Sequence, residues 1–106
     1  MGKPGPETKL VKKMRDAGAA KYGNRLVIVK YHGSAYSEAG VSDLLCCLDG
    51  VFVAVEVKAG TKYGVTLKQQ AFLNRVRAAG GIDEVCNSVE EFLETLRRAA
   101  EHARML

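Results

Sequence analysis

Three residues in this chain have the types and spacing of a divalent-cation site with a lysine beside it: Asp43, Glu56 and Lys58. The case begins at Asp49-Gly50, a dipeptide that favours a two-residue hairpin turn. If Leu48 faces Val51 across that turn, counting back sets Asp43 directly opposite Glu56. Strand side chains alternate, so Asp43, Leu45 and Cys47 share a face with Phe52, Ala54, Glu56 and Lys58. Two carboxylates then converge with a lysine at the hairpin's open end. Like charges directly across a hairpin repel. At about 5 Å and an effective dielectric of about 20, the cost is on the order of 3 kcal/mol. Apolar neighbours raise the cost of ionisation further. Either one carboxyl holds a proton or a cation sits between the two. Lys58 can neutralise part of the charge, and Mg²⁺ or Mn²⁺, bound through oxygen, does so better. The plain alternative is an acid–lysine pair at a solvated strand end.

The elements that must position these groups read as follows. Pro6 suits a first helical turn, and Glu7, Leu10, Val11, Met14 and Ala17 recur on one helical face until Gly23-Asn24. Residues 25–31 (RLVIVKY) and 43–48 read as strands separated by a polar loop, and 51–58 (VFVAVEVK) as a central strand covered on both faces. Thr66 and Gln69 form a capping box opening a second helix, whose buried stripe is Phe72, Leu73, Val76 and Ala79. Residues 82–86 make a fourth strand. Ser88 and Glu91 cap a last helix that buries Val89, Phe92, Leu93 and Leu96. The order is α-β-β-β-α-β-α, an α/β fold in which a hairpin and a β-α-β crossover give a mixed sheet flanked by helices. Residues 1–106 form one domain, with 1–5 a flexible lead-in and 97–106 a tail expected to fray.

Composition narrows the function classes. An apolar content of 47% is enough for a buried core and excludes a disordered chain. No apolar run is long enough to span a bilayer, and the first residues lack the apolar stretch of a signal peptide, so no membrane role and a cytoplasmic location are expected. Cys46, Cys47 and Cys86 form neither a C-x-x-C nor an even set, and read as buried thiols. The net charge of +4 is uneven: residues 1–30 hold eight Lys or Arg against two acids, and the remainder is slightly acidic. A basic lobe on a near-neutral body suits a polyanion such as DNA, although a solvated helix face would read the same. Lys9, Lys12, Lys13 and Lys62 are candidate phosphate contacts. Lys30, His32 and Ser34, where the first strand meets its loop, are further ones. None of them supplies base-specific readout.

Four stretches together resemble the VRR-NUC domain, the virus-type replication-repair nuclease branch of the PD-(D/E)xK superfamily: GVSDLL (40–45), FVAVEVK (52–58), LKQQAFL (67–73) and AGG (79–81). The likeness runs from Glu7 to about Leu96. It implies a restriction-endonuclease-like core and a metal-dependent, structure-selective DNA endonuclease. Asp43 and Glu56 would bind Mg²⁺ or Mn²⁺, with the Val57 carbonyl as a third oxygen. Lys58 and Gln69 would be catalytic, and Glu7 would assist at the metal. For Gln69 the capping box is an equally good account, and for Glu7 so is a favourable charge on the helix dipole. The family usually has proline where this chain has Ser42. Stand-alone members of this size resemble phage proteins associated with homodimers that cut branched DNA such as Holliday junctions. The alternatives are a flap- or end-processing nuclease with the same site, and a non-catalytic DNA-binding module with a relic site.

Overall fold

The computed structural model describes residues 5–34 and 36–106. The lead-in apart from Gly5, and Ala35, lie outside the described residues. The element order is α1 (Pro6–Tyr22), a 3₁₀ turn (Gly23–Arg25), β1 (Leu26–Lys30), β2 (Leu44–Leu48), β3 (Val51–Val57), α2 (Leu67–Ala78), β4 (Ile82–Cys86) and α3 (Val89–Arg104). The four strands form one mixed sheet in the order β1-β2-β3-β4. β2 runs antiparallel to both β1 and β3, and β3 and β4 are parallel because α2 carries the chain back.

The hairpin turn has the two residues that its sequence demands. Asp49 and Gly50 both take positive φ, 51° and 86°, the signature of the tight turn whose twist matches its strands. Leu48 therefore pairs with Val51, and the register runs back to Leu44 opposite Val55. Arg25 grips the turn with a two-pronged ion pair to Asp49 (3.0 and 2.6 Å).

Alternation along β3 sorts its side chains between two apolar layers. Val51, Val53, Val55 and Val57 pack with α1 and α3 around Met14, Phe92 and Leu96. Ala54 packs with Leu73 and Val76 of α2. The sheet is thus covered on both sides of β3, as its continuous apolar run requires. Helix α1 comes close because Gly18 presents no side chain: a Cβ there would sit 3.0 Å from Leu26 and 3.3 Å from Phe92.

Four expectations need correcting. The chain from Arg97 onward does not fray: α3 runs to Arg104, because Ala99 and Ala100 are buried and Arg97 pairs with Glu94 and Glu101. Ala79 leaves the buried stripe and caps α2 from an exposed position. Glu7 sits at the exposed first turn of α1 rather than within its buried face. Cys47 is exposed, since the face of β2 that it occupies is not roofed by α2.

Candidate metal and phosphate site

β2 begins one residue after Asp43 and β3 ends one residue before Lys58, and the reason is chemical. Continuing the hairpin's alternation, the next hydrogen-bonded pair would join Ser42 to Val57. Instead the Val57 N–H donates to the Asp43 side chain, at 2.8 Å from Oδ2. The Asp43 carbonyl meanwhile accepts from the Tyr31 N–H at 2.8 Å. Asp43 is therefore anchored to β1 by its backbone and to β3 by its carboxylate. A third partner, Lys30 Nζ, lies 3.4 Å from Oδ1.

Glu56, opposite Asp43 by one further step of the register, is 2% exposed. Its Oε2 is buried and has no hydrogen-bond partner among the described residues. Burial first, then the hydrogen bonding and charge of Asp43, push the Glu56 carboxyl from its ordinary 4.5 up to about 9; Lys58 counters this in part, and Glu7 adds to it. At Asp43 burial acts in the same direction, but Glu56, the Val57 N–H and Lys30 outweigh it, and its pKa falls. At neutral pH the pair thus shares one negative charge, with the proton on Glu56. Like-charge repulsion, foreseen from the register, is relieved by protonation.

These groups meet at one end of the sheet, where β1 and β3 finish and β2 starts. Lys58 is half-buried there and makes no side-chain hydrogen bond among the described residues. Glu7 belongs to the same end through its charge on Glu56. The loop between β1 and β2 closes on the first turn of α2 through Gly40, at φ 82°. A Cβ at that position would be 2.4 Å from the Lys68 carbonyl oxygen. Gln69 lies at this turn. Its Oε1 accepts from the Thr66 N–H (2.9 Å) and its own N–H donates to Thr66 Oγ1 (3.1 Å), so the capping box is formed. Its Nε2 makes no hydrogen bond among the described residues.

The basic candidates separate. Lys12, Lys30 and His32 line a groove of about 520 Å³ between α1 and β1. Arg15 joins them there; its helical spacing from Lys12 could have singled it out in the sequence. Lys9 and Lys13 are exposed on α1 outside that groove. Lys62 is held by Glu91 at 2.6 Å, beside α3. Ser34 serves its own loop: its hydroxyl meets Ser37 Oγ at 3.1 Å and accepts from the Tyr36 N–H at 3.2 Å. Sequence reasoning gave Lys30 a phosphate contact but missed its pairing with Asp43, because that contact crosses from β1.

Among the described residues no three His, Cys, Asp or Glu side chains cluster as metal ligands. Two carboxylates with oxygen-only chemistry nevertheless fit a hard divalent ion, since Mg²⁺ commonly takes one or two carboxylates and completes its shell with water and substrate phosphate. The partnerless Glu56 Oε2 is the observation that supports the fit.

No helix is long and apolar enough to cross a membrane among the described residues. No protein-family model, curated protein or solved structure matches this chain.

Proposed function

We propose that the chain is a metal-dependent deoxyribonuclease of the restriction-endonuclease-like type, resembling VRR-NUC domains and selective for branched DNA. The single observation that carries the reading is a buried, partnerless carboxyl oxygen on Glu56 beside an anchored Asp43. An unmet buried acceptor costs about 1–3 kcal/mol, a cost that a bound cation would remove.

Asp43 and Glu56 would hold Mg²⁺ or Mn²⁺, with the Val57 carbonyl as the further oxygen. When bound, such an ion offsets charge on a scissile phosphate and acidifies water. The Val57 N–H keeps the Asp43 carboxylate aimed while Glu56 gives up its proton. Lys58, uncommitted and half-buried, donates to the phosphate as charge develops on its oxygens. Gln69 Nε2 remains available to orient water, its oxygen being engaged in the cap. Glu7 adds negative charge at the same end and raises the site's demand for a cation.

We further propose a homodimer, since paired cuts across a junction call for two sites related by a two-fold axis. Exposed apolar residues lie on helix and loop positions such as Leu67 and Tyr63, and a contiguous group lies on the open sheet face: Val27 (59% exposed), Val29 (51%) and Phe52 (43%), with Cys47 between them. They adjoin β1, an edge strand that a second copy can meet antiparallel.

The test is incubation with flap, fork, four-way and plain duplex DNA of matched sequence, with and without Mg²⁺ or Mn²⁺. The reading requires metal-dependent cleavage that favours a branched form. Cleavage of flaps or ends alone favours the end-processing alternative, and binding without cleavage in any metal favours a relic site.

A further inference from the structure

The groove between α1 and β1 has a chemistry that phosphate binding alone does not explain. Its floor is apolar: Val11 and Ala19 from the helix, and half-buried Leu26 and Ile28 from the strand. Its rim is cationic, with Lys12, Arg15 and Lys30, beside His32, against a single acid, Asp16. That acid pairs with Lys12 at 2.8 Å, but both side chains are more than two-thirds exposed or nearly so (78% and 67%), and such a pair exchanges readily with a competing anion. The groove does not end at the strand. Lys30 and His32 also line a second groove, of about 670 Å³, formed by the loop between β1 and β2 and reaching Asp43. The two share Lys30 and His32 and together run from α1 to Asp43.

A duplex offers such a floor little, because its base faces are stacked inside and only base edges, sugar and phosphate are exposed. An unpaired strand presents base faces to apolar surface and phosphates to a cationic rim at the same time. We propose that the α1–β1 groove binds a single-stranded polynucleotide, base faces on Ala19, Leu26 and Ile28 and phosphates on Lys12, Arg15 and Lys30, and delivers it to Asp43. This rests on the nuclease reading for what happens at Asp43, but not for the binding itself. In a flap or fork it names the feature recognised, an unpaired arm, which a fully paired four-way junction lacks.

The test is fluorescence anisotropy with labelled oligothymidylate and with a duplex of equal length, using the wild-type protein in EDTA so that no cleavage intervenes. The oligothymidylate is expected to bind at least tenfold tighter than the duplex. Ala19→Glu places a negative charge in the floor from an exposed helical position, and should weaken that binding at least tenfold. Ala20→Glu, exposed on the same helix but outside the groove, should change it less than twofold. Replacing Lys12 and Arg15 together by alanine should lower the salt slope by about 1.4, two phosphate contacts on a single strand. Equal binding of duplex, equal effects of Ala19→Glu and Ala20→Glu, or displacement of oligothymidylate by polyglutamate at equal charge concentration would overturn the proposal. Cleavage of the branched panel in Mg²⁺ or Mn²⁺ reports separately on the carboxylate site: it persists if only the groove assignment fails, and is absent while single-strand binding remains if only the nuclease assignment fails.

Discussion

Replacing Glu56 by glutamine should stabilise the metal-free protein at neutral pH and abolish the proposed cleavage. Glu56 is 2% exposed, and its carboxyl titrates at about 9 in the folded chain against an ordinary 4.5. A pKa raised by folding contributes its full stability below the unfolded value and loses it as pH rises to the folded one. Wild-type stability should therefore fall by about 1.4 kcal/mol per pH unit between about 5 and 9 from this group alone. At pH 7, 2.5 units above 4.5, the burden is about 3 kcal/mol. Glutamine keeps the shape and cannot ionise, so it removes that burden. Its second amide hydrogen is an extra buried donor, costing about 1 kcal/mol. The variant should thus be about 2 kcal/mol more stable at pH 7 and about 1 kcal/mol less stable at pH 4. Urea unfolding of both proteins in EDTA at the two pH values measures this directly. A variant less stable at pH 7 than at pH 4, relative to wild type, would refute the reasoning. It would mean that Glu56 is ionised and held by Lys58, which is the structural ion pair that the sequence left open.

Two further substitutions probe how the site is positioned. Gly40→Ala should destabilise by about 1–3 kcal/mol and lower cleavage, since φ is 82° and the new Cβ would meet the Lys68 carbonyl at 2.4 Å, displacing the loop that leads to Asp43; an unchanged melting temperature would contradict the close approach. Ser42→Ala should stabilise by about 1 kcal/mol, because Ser42 is 1% exposed and its Oγ is partnerless among the described residues; a loss of more than about 1 kcal/mol would show that the hydroxyl has a partner.

What the sequence revealed, and what it withheld, follows from which forces are local. The Asp49-Gly50 turn fixed the register, and the register put Asp43 across from Glu56 before any coordinates were needed. Capping residues Thr66 and Ser88 marked the starts of α2 and α3 for the same reason: the signal lies within one turn. Lys30 on Asp43 was hidden because it depends on how β1 lies beside β2. The proton on Glu56 was legible only as an alternative to a cation, since choosing between them requires its burial. The α3 tail looked loose because Ala99 and Ala100 carry little hydrophobic signal, yet they are buried against other elements. Arg15 shares a helical face with Lys12, a local signal, but which face borders a groove depends on β1 packing against α1.

The proposed metal-dependent cutting site is Asp43 with Glu56. It is tested most directly by cleavage of a labelled four-way DNA junction by wild type and Asp43→Asn, prepared identically, in Mn²⁺, Mg²⁺ and EDTA. The account predicts cuts by wild type in metal, none in EDTA, and a loss of at least a thousandfold in the variant, whose asparagine still accepts from the Val57 N–H but lacks the charge to hold the ion. Asp43→Asn cutting as well as wild type would contradict it.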